Sequence, residues 1–236
     1  MKKTKSISGF FSLLLILIFA CTKHYKDSIF PGNTSNMTYT FLALGDSYTI
    51  GESVLPAENF PNQTVQLLEQ TVYDFNSPEI VAKTGWTTDE LQGAINYHSF
   101  LPKYDFVTLL IGVNNQYRGR AVDSYKPEFE NLLKRAIQFA GGKTNHVIVL
   151  SIPDWSVTPF ASGRDRLQIA KEIDEYNAAN KMIAEKYKVH YIDITPGTRE
   201  AATNSSLLAA DGLHPSSKEY KRWAVSLADI IQLELK

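Results

Sequence analysis

The sequence predicts an α/β domain built on a parallel, five-stranded sheet covered by helices on both faces. Three observations carry that prediction. Short apolar runs rich in β-branched and aromatic residues alternate with longer segments of helical spacing, the pattern of repeated βαβ units. Every one of those runs except the last stops at a turn made of Gly, Asn, Asp or Ser, so the turns fall along one edge of the sheet. The 236 residues, 44% of them hydrophobic, are enough to bury one full core.

The first strand is the run of Tyr39, Phe41, Leu42 and Leu44, which ends abruptly at Gly45-Asp46-Ser47. A helix follows over Phe60 to Tyr73, with Pro61 in its first turn and Val65, Leu67, Leu68 and Val72 at helical intervals. Glu79 to Ala82 is a short strand closed by Gly85, and Thr87 or Thr88 caps a helix that runs to about His98. Asp105 to Ile111 is the strongest strand and leads into Gly112-Val113-Asn114-Asn115. Ser124 to Ala140 is helical and ends at Gly141-Gly142. His146 to Ile152 is the fourth strand, Arg166 to Tyr187 a long helix, Val189 to Ile194 the fifth strand, and Lys218 to Leu235 the closing helix.

The N-terminus belongs to none of this. Lys2, Lys3 and Lys5 precede the apolar stretch Phe10 to Ala20, which has the form of an export signal and is short for a membrane span. Cys21, the only cysteine, follows at once, an arrangement that resembles a bacterial lipoprotein signal in which the cysteine is lipidated. The alternative is a plain secretory signal with an incidental cysteine. The organisation expected is a signal peptide over 1–20, a lipidated cysteine and polar tether over 21–37, and a folded domain over 38–236. That domain is expected to be exported and membrane-anchored, facing periplasm or cell surface, and a single cysteine leaves it no internal disulfide. With a net charge of −1 and interspersed charges, the chain has no electrostatic footprint for nucleic acid.

Chemistry gathers at the carboxyl ends of strands in such sheets, so Ser47 is a candidate nucleophile. Taken alone, Gly-Asp-Ser is an ordinary turn. Asp211-Gly212-Leu213-His214-Pro215, just before the last helix, offers a histidine that can reach the same edge and a carboxylate three residues earlier to hold its ring. Alone it too reads as a turn and helix cap, and Asn114 alone as a loop residue. Asp154 is a second carboxylate on the edge, either an alternative partner for His214 or a loop-structuring residue. Tyr48, Trp86, Trp155 and Phe160 flank the turns, either lining a pocket or packing at loop bases. His24, His98, His146 and His190 have no partner at metal-ligand spacing.

Gly45-Asp46-Ser47, Gly85, Gly112-Val113-Asn114 and Asp211-Gly212-Leu213-His214 resemble, in that order, the four signature blocks of the SGNH (GDSL) hydrolases. The resemblance implies a three-layer, flavodoxin-like α/β/α fold and hydrolysis of carboxylic esters without metal or organic cofactor. It implies Ser47 as nucleophile, His214 as base, Asp211 as its orienter, and the Ser47 and Gly85 N–H groups with the Asn114 amide as oxyanion hole. The third block usually reads Gly-x-Asn-Asp; here Asn115 replaces the aspartate, which bears on support of that loop. Acetylated carbohydrate, simple esters and lysophospholipid all remain possible substrates. An acyltransferase, or an inactive glycan-binding lipoprotein on the same fold, are the other readings.

Overall fold

A computed structural model describes residues 37–236. The export signal, Cys21 and nearly all of the tether expected from the sequence lie outside the described residues.

The chain opens with β1 (Thr38–Tyr39) and β2 (Phe41–Asp46), then α1 (Ser47–Ile50) and α2 (Phe60–Leu68). After β3 (Asp74–Phe75) and β4 (Glu79–Lys83) come α3 (Thr88–Tyr97), β5 (Phe106–Leu110), α4 (Val113–Tyr117) and α5 (Val122–Phe139). The second half contains β6 (Val147–Leu150), α6 (Arg166–Tyr187), β7 (His190–Ile192), α7 (Thr195–Arg199) and α8 (Ser217–Glu234). Five of the strands form a parallel sheet in the order β4-β2-β5-β6-β7. This is the flavodoxin-like order, with the reversal of winding falling between β2 and β5.

The three central strands β2, β5 and β6 are buried along their whole length, as expected of parallel strands covered on both faces. One helical layer is α2 against α8, where Phe60, Tyr220 and Trp223 bring their rings to 5.1–6.4 Å of each other. The other is α3, α5 and α6, each packed on the next. Tyr125 on α5 is fully buried, and its hydroxyl donates to the Ile111 carbonyl or to Asn180 Oδ1 on α6, at 2.9 and 2.6 Å. The end of β5 is thereby fixed from the helical layer above it.

The sheet and major helices lie where the sequence places them, with ends within a residue or two except at α2. Helix α2 stops at Leu68 instead of Tyr73. The residues beyond it form β3, which pairs with β1 as a separate two-stranded parallel sheet. Tyr39 draws them there, its ring lying 5.2 Å from Phe75 and 6.1 Å from Tyr73. The expected first strand is interrupted at Thr40, whose N–H and hydroxyl both bond the Asp105 carboxylate at 2.8 Å. Strand β7 is shorter than the expected Val189 to Ile194 because Asp193 accepts the Thr195 N–H and turns the chain into α7.

Candidate active site

Strand β2 delivers Ser47 to the carboxyl edge of the sheet beside the switch point. Gly45 makes the close approach possible: a Cβ there would lie 2.0 Å from Thr49 Oγ1 and 2.5 Å from the Leu110 carbonyl. Asp46 caps α1 by accepting the Tyr48 N–H at 3.0 Å, leaving Ser47 as the first residue of the helix with no intrahelical acceptor for its own N–H. Ser47 is 3% exposed, so its hydroxyl is presented from a fixed, nearly dry position.

His214 arrives from the far end of the chain. The turn that carries it is closed by the Leu208–Pro215 bridge and by the Ala209 N–H bonded to the His214 carbonyl at 2.8 Å. Asp211 accepts the backbone N–H groups of Leu213 and His214 on Oδ1, at 2.9 and 3.0 Å. Its Oδ2 meets His214 Nδ1 at 2.6 Å, and His214 Nε2 stands 2.9 Å from Ser47 Oγ. With a carboxylate on Nδ1, the ring proton belongs there, and Nε2 is the acceptor facing Ser47. The cap of α8 is Ser216, so Asp211 is free of that role.

Ser53 adds a contact that sequence reasoning missed. Its hydroxyl donates to Asp211 Oδ2 at 2.7 Å, and its backbone is held at φ 66°, in the left-handed region that costs a residue with a Cβ. Burial pushes the Asp211 carboxyl up, but bonds from His214, Leu213 and Ser53 outweigh it and hold the group down at about 2. Asp211 is therefore ionised wherever a histidine is neutral.

On the other side of Ser47, the chain leaves β4 through Gly85, at φ 82°, a conformation that favours glycine. The Asn114 amide, from the first turn of α4, donates to the Trp86 carbonyl at 3.1 Å and to Asp46 Oδ2 at 3.3 Å. Burial drives the Asp46 carboxyl up to about 7, against the lowering effect of its bonds from Tyr48 and Asn114. Asn115 points away from the edge, fully buried. Its Oδ1 accepts the Thr88 N–H at 3.1 Å and its Nδ2 donates to Thr88 Oγ1 at 2.7 Å. The asparagine that departs from the usual block thus ties the α4 loop to the start of α3, giving that loop the support an aspartate would be expected to supply.

A cleft opens over these groups, lined by Ser47, Gly85, Asn114 and His214 together with Tyr48, Trp155 and Phe160. Tyr48 also packs its ring 4.9 Å from that of His214, and burial pushes its phenol well above the ordinary range. Tyr117 lines the cleft as well and went unnoticed in the sequence, although it follows Val113 by four residues and Asn114 by three on a single short helix, which places all three on one side. Trp86 corrects an expectation. It does not line the cleft; its half-buried ring packs against the core while its carbonyl holds Asn114. Asp154 is not a partner of His214 either: its carboxylate binds the Ser156 N–H and Arg199 Nε, both at 2.8 Å, and structures its loop.

Of the remaining described histidines, His98 pairs with Glu79 and His190 with Glu234. His146 stacks on Phe106 and bonds the Asp105 carbonyl.

Residues 43–222 match the model of the GDSL-like lipase/acylhydrolase family. Among solved structures, the chain is similar to the lipase/acylhydrolase from Enterococcus faecalis, with 18% identity over 84% of this chain and 97% of that one and a TM-score of 0.67. It is also similar to the acetylxylan esterase Axe2 from Geobacillus stearothermophilus, at 19% identity, 82% and 94% coverage and a TM-score of 0.64. The psychrotrophic esterase EstA from Pseudoalteromonas sp. matches at 18% identity, 84% and 98% coverage and a TM-score of 0.60. No curated protein matches the chain by sequence. At these identities the structural likeness speaks for the fold, and the family model, spanning both the Ser47 and the His214 ends of the cleft, speaks for the chemistry. The chain belongs to the GDSL-like lipase/acylhydrolase family and is a carboxylic ester hydrolase.

Proposed function

We propose that the protein hydrolyses its ester through an acyl-enzyme formed on Ser47. The observation that carries this reading is the unbroken line of hydrogen bonds from Ser47 Oγ through both ring nitrogens of His214 to Asp211. A hydroxyl is a weak nucleophile until a base takes its proton, and His214 Nε2 is in place to take it. As Ser47 Oγ bonds to the acyl carbon, the proton passes to Nε2 and the carbonyl π pair moves onto oxygen. Asp211 balances the imidazolium so formed. The Ser47 and Gly85 N–H groups and the Asn114 amide stabilise the oxyanion, Asn114 exchanging its bonds to Asp46 and Trp86 for the substrate. Collapse breaks the bond to the alcohol, which leaves with the proton from Nε2. Water then repeats the cycle on the acyl-enzyme and frees the acid.

The relay is complete without substrate, which favours catalysis over a retired site that only holds glycan. Acyl transfer to a sugar acceptor would use the same first half-reaction and differs in what resolves the intermediate. Simple esters, acetylated carbohydrate and lysophospholipid are separated by the acyl-chain profile. Hydrolysis of p-nitrophenyl esters of two to twelve carbons is expected to fall off with chain length for a carbohydrate esterase and to rise for a lysophospholipase. Product appearing only when an acceptor sugar is added would instead establish transfer.

The basic, apolar and cysteine-terminated leader supports export and anchoring of the domain through lipid on Cys21. Radiolabelled palmitate is expected to enter the full-length protein in cells and to be lost in Cys21→Ala; equal labelling of both would remove the anchor from the account.

A further inference from the structure

Arg164 is an exposed cation stacked on three of the rings that line the cleft, without a counter-charge. It sits in the short turn before α6, its backbone N–H bonded to the Ala161 carbonyl at 3.2 Å. The guanidinium carbon lies 5.0 Å from the ring centre of Tyr117, 5.4 Å from Trp155 and 5.8 Å from Phe160, and Nη2 donates to the Tyr117 hydroxyl at 3.1 Å. Among the described residues it has no carboxylate within ion-pair distance, a lack it shares with Arg135 and Arg166, whereas Arg118, Arg120, Arg199 and Arg222 each have at least one. All three rings beneath it line the cleft that holds Ser47 and His214.

The three rings pack on one another, and Trp155 anchors them. Trp155 is buried and its Nε1 donates to Gln116 Oε1 at 2.8 Å, while Gln116 Nε2 is held by Glu172 at 2.7 Å. Tyr117 and Phe160, each 43% exposed, stand 6.0 Å apart with their planes at 39°. An arginine stacked on aromatic faces keeps its charge and loses much of the side-chain freedom it would otherwise give up on binding an anion. Its fork matches a carboxylate in two parallel hydrogen bonds.

Resting on the serine-esterase reading above, we propose that this rim is a leaving-group subsite for an acylated sugar that carries a carboxylate, and that Arg164 selects esters of uronate-containing glycan. The parts of the two half-exposed rings left uncovered beside the guanidinium offer apolar surface to the C–H face of a pyranose. The unmatched guanidinium beside them binds the ring carboxylate, and the Tyr117 hydroxyl supplies a polar edge. A phosphate on a flexible glycerol would satisfy the charge but would present no ring to those faces.

The test compares pairs of acetyl esters that differ only in charge. Methyl 3-O-acetylglucuronoside is set against methyl 3-O-acetylglucoside, and acetylglycerol phosphate against acetylglycerol, with p-nitrophenyl acetate as a common reference. The wild-type enzyme is expected to favour the uronate over the neutral sugar by roughly threefold to fivefold in kcat/KM, mainly through KM, the range of a partly exposed ion pair. That ratio is expected to shrink at high salt, to approach one in Arg164→Gln, and to invert in Arg164→Glu. Because each variant is judged by a ratio within one preparation, a general loss of activity does not imitate the effect. A wild-type ratio near one, a ratio that survives Arg164→Gln, or a larger preference for the glycerol phosphate than for the uronate would overturn the assignment. Turnover of all esters at equal rates sinks this inference alone; turnover of none sinks the esterase reading with it.

Discussion

Asp46 and Asp211 each lie one hydrogen bond from a group at the reacting edge, Asp46 from the Asn114 amide and Asp211 from the His214 ring. The fold treats their carboxyl groups in opposite ways. Asp46 is fully buried at the end of the central strand and driven up to about 7 by burial. Asp211 sits on an exposed turn, and although burial pushes it up, donors on both oxygens pull it down to about 2. The side of the site that must stabilise a developing imidazolium thus has a permanent negative charge. The side that must stabilise an oxyanion has a carboxyl group held near neutrality, where a fixed negative charge would oppose the reaction.

The first way to break this contrast is to remove the charge on the relay side. Asp211→Asn is expected to lower kcat about 10⁴-fold, because a neutral amide leaves the imidazole in the wrong tautomer. A loss under tenfold in steady-state ester hydrolysis would mean that Asp211 only shapes its turn. On the oxyanion side, Asn114→Ala is expected to cost roughly 10²- to 10³-fold in kcat with little change in KM. A change confined to KM would put Asn114 in ground-state binding instead.

Stability against pH sharpens the contrast without touching the chemistry. A carboxyl whose folded pKa is raised contributes stability that is fully present below about pH 4 and is lost as pH rises through about 7. Asp46→Asn, which resembles the protonated acid, lacks that loss. In urea melts the variant is expected to gain on the wild type between pH 4 and pH 8 by a few kcal/mol. Parallel profiles would contradict a buried, neutral-leaning Asp46. The Asp211 contribution runs the other way, present above about pH 4 and lost as pH falls toward 2, and is smaller because the group is partly solvated.

Ser53 gives the smallest and most selective effect. Ser53→Gly relieves the left-handed backbone and is expected to leave the melting temperature unchanged or raised, while removing a donor from Asp211. With one donor fewer, Asp211 holds the His214 ring less firmly, and kcat for ester hydrolysis is expected to fall a fewfold with KM unchanged. A kcat equal to that of the wild type would reduce Ser53 to a loop residue.

Most of the fold was legible because its signals are local. Each central strand is a continuous apolar run ended by a polar turn, and the helix from Arg166 to Tyr187 keeps its expected bounds. The candidate site was legible in the same sense, since Ser47, Gly85, Asn114, Asp211 and His214 each sit in a short block that ends or begins an element. What stayed hidden depends on contacts between distant stretches. Ser53 matters through an aspartate 158 residues away, and Arg164 through rings contributed by α4 and the Trp155–Phe160 loop. The two-residue strands β1 and β3 have too little pattern to see and exist because Tyr39 packs on Tyr73 and Phe75. Trp86 misled because adjacency to Gly85 fixes where its backbone lies, whereas packing decides where its ring goes.

The central claim is that Ser47 is the atom donor to the acyl-enzyme, activated by His214. The most direct measurement is intact-mass and peptide mass spectrometry of the domain after exposure to a fluorophosphonate, with Ser47→Ala and His214→Ala treated in parallel. The account predicts a single phosphonyl adduct on the peptide containing Ser47, absent from Ser47→Ala and formed far more slowly in His214→Ala, with ester hydrolysis disappearing in step with labelling. An adduct on another residue, or ester turnover that persists in a fully labelled enzyme, would contradict it.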